Sequence, residues 1–105
     1  MAKMMNDRLA LHDLLCEKLG STNVYFQPPE SVKMKYPAIK YNRDKIDNTS
    51  ADNITYKQDV SYMITVIDRD PDSEIVERVS QIPHIVHDRH YVADNLNHDV
   101  FTLYV

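Results

Sequence analysis

Residues 54–67, with the sequence ITYKQDVSYMITVI, alternate between apolar and polar positions almost throughout. Successive side chains of a β-strand point to opposite faces of its sheet, so a period of two over about thirteen residues predicts one long strand. Only Gln58 interrupts the apolar face, while Met63 and Ile67 add apolar surface to the polar one. We therefore expect one face of this strand to lie in a core and the other to meet water or a partner.

Two shorter strands are predicted before this segment. Residues 24–26 are β-prone and are soon followed by a Pro-Pro pair, which cannot donate to a ladder. Residues 36–43 place Ile39 and Tyr41 on one face and Lys40 and Asn42 on the other. The polar residues 44–53 then predict a solvated hairpin loop before the long strand.

Helical spacing marks two further segments. Residues 6–19 place four leucines on one stripe, and Gly20 follows at the position where helices commonly end. After the long strand, Asp70 is suited to cap a second helix, Pro71 to begin it and Pro83 to end it.

Two final strands are predicted at residues 84–92 and 100–105, joined through the polar residues 94–99. The resulting order is α-β-β-β-α-β-β, without an internal repeat. This order predicts one α+β domain over residues 1–105, with a mostly antiparallel sheet and two helices packed on one face.

The composition excludes several kinds of site. The 105 residues include one glycine and one cysteine, whereas phosphate-binding and dinucleotide-binding loops need two or three glycines. Cys16 has no internal disulfide partner, and we expect it to be a small core residue of an intracellular chain. The net charge of −4 disfavours tight binding of nucleic acid. No apolar run is long enough to cross a membrane, and we expect no catalytic residue and no cofactor.

The histidines raise the alternative of a metal site. His84, His87 and His90 are spaced by three, so on a regular strand His84 and His90 share one face and His87 points away. A zinc site needs three or four converging ligands, and this segment supplies at most two. His90 could meet His98 across the last hairpin, a register that the sequence leaves open. We expect polar surface or interface histidines and no bound metal.

The seven tyrosines favour a protein that makes contacts. Tyrosine suits half-buried strands and is also enriched at protein interfaces, because its ring is apolar and its hydroxyl is polar. We expect about half of the tyrosines in the core. The candidates for a subunit interface are Tyr36, Tyr91, His90 and His98.

Three blocks of the chain resemble a known family. They are LHDLLCEKLGSTNVYFQPPESVKMKYPAIKY (residues 11–41), VIDRDPDSEIVERVSQIP (66–83) and DRHYVADNLNHDVFTLYV (88–105). Together with the element order, they are similar to the small tail-terminator, or tail-completion, proteins of long-tailed bacteriophages. The resemblance implies a structural virion protein that forms a ring, commonly a hexamer, on the finished tail tube. Such a ring stops tube polymerisation and provides the head-to-tail joining surface.

The resemblance also implies the partners and the location. The partners are further copies of the chain, the tail tube protein and head-tail connector proteins, while DNA passes through without specific binding. The protein would be assembled in the host cytoplasm and lie at the head-proximal end of the tail. Asp44, Asp47 and Asp52 are candidates for the ring lumen or an end-face contact, and an ordinary hairpin tip explains them equally well. The alternative functions are a neighbouring head-closure connector and a small ligand- or metal-binding module.

Overall fold

The computed structural model of the chain describes residues 4–51 and 55–104, with side chains for residues 8–45 and 60–104. Two helices and five strands follow one another in the predicted order, α-β-β-β-α-β-β. The elements are α1 (Met4–Leu19), β1 (Val24–Phe26), β2 (Ala38–Ala51), β3 (Thr55–Asp68), α2 (Glu74–Ser80), β4 (Ile85–Ala93) and β5 (Leu96–Tyr104). The α+β class is therefore confirmed. No helix formed by the described residues is long and apolar enough to cross a membrane.

The five strands form one sheet in the order β1-β2-β3-β5-β4. β1 runs parallel to β2, and the other neighbouring pairs are antiparallel. The prediction of a mostly antiparallel sheet is confirmed. The three-residue β1 and the nine-residue β4 are the two edge strands.

Both helices pack on one face of the sheet, which we call the inner face. The alternation that predicted β3 places Val60, Tyr62, Ile64 and Val66 in this core, where all four are buried. On α1, three leucines spaced four residues apart belong to the predicted stripe and are buried: Leu11, Leu15 and Leu19. The core thus lies between one helix stripe and one strand face, as the two sequence periods predicted.

Gly20 ends α1 as predicted. Its φ of 84° lies in the left-handed region, where glycine has no Cβ penalty. From this position its N–H donates to the carbonyl oxygen of Cys16 at 2.8 Å, which satisfies one of the last carbonyls of the helix.

The hairpin of β2 and β3 is longer than the sequence predicted. The solvated loop expected at residues 44–53 is wrong, because β2 continues to Ala51, which lies opposite Thr55 of β3. β5 pairs only with residues 61–68 of β3. Residues 46–51 and 55–60 therefore form a two-stranded extension beyond the part of the sheet that β5 covers, which we call the ribbon. The β2 side of this pair, residues 46–51, has no apolar alternation in its sequence, so its strand character was not predicted.

The start of α2 also differs from the prediction. Asp70 does not cap the helix; Ser73 does, and its hydroxyl accepts from the backbone N–H of Ile75 at 3.2 Å. The Asp70 carboxylate instead accepts from the backbone N–H of Asp72 at 2.9 Å, which closes a turn before the helix. The helix ends at Ser80, with Gln81 as its C-cap, before it reaches Pro83.

The connection between β4 and β5 is shorter than the predicted link at residues 94–99. Only Asp94 and Asn95 connect the two strands, with φ values of 53° and 61°. Two consecutive left-handed residues form the turn whose twist matches that of a hairpin, and Asp and Asn tolerate this region better than most residues. β5 therefore begins at Leu96, four residues earlier than expected.

Candidate functional site

The candidate site is the outer face of the sheet, the face opposite the two helices. One row across β2, β3, β5 and β4 consists of Lys40, Thr65, Val100 and Arg89. Thr65 and Val100 in its centre are buried, whereas Arg89 at the β4 end is exposed. Neighbouring strands lie about 4.8 Å apart, so the two cationic residues are separated by roughly 14 Å. The row has positively charged ends and an uncharged centre.

The adjacent row on the outer face contains two of the predicted interface residues, Tyr91 of β4 and His98 of β5. The rings of Tyr91 and His98 stack with their centroids 4.6 Å apart and their planes 8° from parallel. The Arg89 guanidinium carbon lies 5.9 Å from the centroid of the Tyr91 ring. Tyr91 remains 40% exposed, so this outer-face cluster leaves an aromatic surface accessible to a partner.

His90 does not join this cluster. It lies opposite Asp99 on the inner face, whereas His98 is on the outer face, so the two histidines do not meet across the hairpin. A register shift between His87 and Arg89 inserts Asp88 as an extra residue. This bulge reverses the alternation, so His87 and His90 share a face and the predicted separation of these two residues is wrong.

The inner-face histidines are bonded within the protein. The Nε2 atom of His87 lies 3.0 Å from a carboxylate oxygen of Asp99, and that of His90 lies 3.1 Å from the amide oxygen of Asn97. The Asn97 amide in turn donates to the carbonyl oxygens of Asp68 and Arg69. Within residues 8–45 and 60–104, no three His, Cys, Asp or Glu side chains converge as a metal site would require. These contacts tie the last hairpin to the end of β3.

The remaining predicted residues are not gathered at one point. Asp44 is exposed at a register shift in β2, and Asp47 lies within the ribbon, opposite Asp59 in register. Both belong to a strand and not to a loop, while Asp52 lies outside the described residues. Tyr36 is half-buried just before β2, three strands away from Tyr91.

Open grooves flank the sheet among the residues whose side chains the structure describes. A groove of about 440 Å³ lies where the segment after β1 crosses the outer face of β2. Its lining residues are Gln27, Pro28, Pro29, Glu30, Val32, Met34, Lys40 and Asn42. An apolar groove of about 290 Å³ lies between α1 and the end of β5, and includes Leu14, Ile82 and Tyr104. The first groove places the segment 27–36 beside the outer face.

A polar contact fastens α1 to the sheet. The hydroxyl of the fully buried Tyr41 lies 2.8 Å from Nδ1 of His12. Arg8 also reaches this hydroxyl and places its guanidinium carbon 4.5 Å from the centroid of the Phe26 ring. Burial raises the pKa of Tyr41, and the hydrogen bond from Arg8 offsets part of that rise. The hydroxyl is thus held in its protonated form.

We expect Tyr41→Phe to lower the free energy of unfolding by about 1 kcal/mol at pH 7, because one buried hydrogen-bonded hydroxyl is lost. Folding raises the pKa of Tyr41. The stability linked to this proton is therefore complete below the unfolded value of about 10 and is lost as the pH rises above it. The variant lacks this loss, so the difference in unfolding free energy between the two proteins narrows as the pH rises above about 10. Urea unfolding of both proteins across this range, with Tyr104→Phe as the exposed control, measures the difference; a deficit that stays constant contradicts the prediction.

Cys16 lies at the rim of the core and is half-buried, which is less than the sequence predicted. Burial raises the pKa of its thiol, and the nearby carboxylate of Asp13 raises it further. The thiolate is the nucleophilic form, so both effects disfavour reactivity. Cys16 acts as a packing residue beside the leucine stripe.

Charge divides unequally between the two sides of the sheet. The outer face and the adjoining segment 27–36 carry five described cationic side chains, namely Lys33, Lys35, Lys40, Lys45 and Arg89. With the residues inserted at the two register shifts included, they carry three carboxylates: Glu30, Asp44 and Asp88. The helix layer, which we define as α1, α2 and residues 69–73, carries six described carboxylates, all exposed: Asp13, Glu17, Asp70, Asp72, Glu74 and Glu77. Its described cationic residues are Arg8, Lys18, Arg69 and Arg78. The alternation of β2 correctly predicted that Lys40 lies on the face opposite Ile39 and Tyr41. The face on which Arg89 lies could not be predicted, because the bulge at Asp88 reverses the alternation of β4.

Comparison with known proteins adds no relative: no family model matches the chain, and no curated protein is significantly similar to it.

Proposed function

We propose that the chain is a structural subunit of a bacteriophage virion: a tail terminator that forms a ring, expected to be a hexamer, on the tail tube. The ring stops polymerisation of the tube and offers the surface to which the head attaches. The three family-like blocks, which contain 67 of the 105 residues, support this proposal together with the order of the elements. Its partners are further copies of the chain, the tube protein and the head-tail connector proteins, and DNA passes through the ring without specific binding.

The ribbon is the structural observation that carries the proposal furthest. The molecule extends 50 Å along its long axis, and strands of 14 residues span roughly 46 Å. Beyond Ser61, neither β5 nor β1 continues the sheet beside the ribbon. An isolated two-stranded ribbon is marginally stable in water, so it gains stability when it packs against another surface. A neighbouring subunit or the tail tube supplies such a surface.

The test uses tail tubes polymerised from purified tube protein. Adding this chain is expected to stop tube elongation and to leave a ring at one end of each tube in negative-stain images. Tubes that keep growing without a cap contradict the proposal. If the chain instead binds only purified head-tail connectors, the alternative assignment as a head-closure protein replaces it.

A shortened variant tests the ribbon itself. Replacing residues 48–58 by Asn-Gly joins Asp47 to Asp59, which are partners in the existing register, through a favoured two-residue turn. We expect the variant to fold, because the core residues of the sheet remain, and to lose tube capping at least tenfold. Circular dichroism and urea unfolding establish folding, and the tube assay measures capping. A folded variant that caps as well as the full chain removes the ribbon from the mechanism.

A further inference from the structure

The division of charge indicates which surfaces of two copies meet. Among the described side chains, neither Lys40 nor Arg89 forms an ion pair within the chain. Lys40 is half-buried and Arg89 is exposed, and they lie at opposite ends of one outer-face row. The cationic ends of this row are therefore available to carboxylates of another molecule.

The helix layer supplies the opposite charge. Two of its cationic residues are engaged within the chain: Arg8 contacts Tyr41 and Phe26, while Arg78 lies 3.7 Å from Glu74 and donates to the carbonyl oxygen of Lys18. The carboxylates of this layer are exposed, including Glu17 on α1 and Glu77 on α2. The two sides of the chain are thus complementary in charge.

We propose that copies of this chain associate front to back, with the outer face of one copy against the helix layer of the next. This inference rests on the proposed ring, and it names the surfaces that form the ring contact. A contact between two different surfaces of the same chain repeats from copy to copy, and it forms a ring when the rotation between copies completes a full turn. A symmetric contact between two outer faces opposes cations, and one between two helix layers opposes carboxylates. Both symmetric contacts are disfavoured by like charge.

The outer face also offers uncharged contact area beside its cationic end at Arg89. Tyr91 is 40% exposed and Val86 is 51% exposed, and both belong to β4 at the margin of this face. Aromatic side chains surrounded by polar groups are typical of the centre of an interface. The charges orient the two copies, and these side chains supply surface to bury.

Two charge-reversed variants and their mixture test the proposal. Lys40→Glu/Arg89→Glu makes the outer face acidic, and Glu17→Lys/Glu77→Lys makes the helix layer basic. Each variant alone opposes like charges at every front-to-back contact, so we expect its self-association to fall at least tenfold. In the mixture every contact between alternating variants is again complementary, so association returns. A chain that carries all four substitutions is expected to associate by itself.

Sedimentation velocity at low salt measures association over a range of protein concentrations, and circular dichroism verifies that every variant is folded. Lys40→Arg/Arg89→Lys keeps the charge and is expected to associate like the parent chain. Raising the salt concentration weakens the parent's association, because exposed charges are screened. The four-substitution chain provides a second measurement if one of the double variants fails to fold.

Two results overturn the inference. Either the parent chain stays monomeric at low salt and high concentration, or it associates while the charge-reversed variants associate equally well. If the charge-reversed variants associate as well as the parent chain, the proposed ring still stands, but its subunits meet through other surfaces. The tube-capping assay is independent of both, so failure of the proposed function is distinguished from failure of the front-to-back contact.

Discussion

Phe101→Ala is expected to lower the free energy of unfolding by about 3–5 kcal/mol, which is a large fraction of the stability of a domain this size. Phe101 is fully buried on the inner face of β5, with the ring of His87 against it at a centroid distance of 5.0 Å. Truncation removes buried apolar surface and leaves a cavity between the sheet and the helices. Urea unfolding, followed by circular dichroism, measures the change.

Tyr104→Ala is the matched control for this substitution. Tyr104 is also aromatic and on β5, but it is 51% exposed. Its truncation is expected to cost less than about 1 kcal/mol, since exposed positions contribute little. Equal losses in the two variants contradict the placement of Phe101 in the core.

Leu15→Ala is expected to lower the free energy of unfolding by about 2–5 kcal/mol. Leu15 is fully buried at the centre of the α1 stripe, and its loss weakens the contact that holds α1 on the sheet. Leu9→Ala is the same substitution on the same helix at a side chain that is 60% exposed. It is expected to change stability by less than about 0.5 kcal/mol. A comparable loss at Leu9 contradicts the assignment of the Leu15 effect to core packing, since alanine has the higher helix propensity of the two residues.

The buried part of the fold could be predicted from the sequence, because burial imposes a period. Ile64 and Leu15 occupy the faces that their strand and helix periods assigned to them. The polar half of β2 could not be predicted in this way, since backbone pairing alone extends it and leaves no apolar period. The choice of Ser73 over Asp70 as the cap of α2 depends on the turn that Asp70 closes, which a capping rule does not consider.

The candidate surface was predicted only in part. Tyr91 and His98 were predicted interface residues and are stacked together, but His90 lies on the other face of the sheet. The cause is one inserted residue, because the bulge at Asp88 reverses the side-chain alternation between His87 and Arg89. A bulge changes no composition and little hydropathy, so the pattern of residues 84–93 did not indicate it. The pairing of Lys40 with Arg89 in one row follows from strand order and register, which are properties of the folded sheet.

The bulge at Asp88 also limits how another extended chain can pair with the free edge of β4. An uninterrupted edge strand exposes a row of unpaired N–H and C=O groups to which any extended chain can add, the first step toward fibrils. Here the row is broken after His87, and the charged residues Asp88 and Arg89 lie at the break. An incoming strand finds only the short stretches 85–87 and 89–93, which differ in orientation. The edge is therefore a poor seed for indefinite sheet growth.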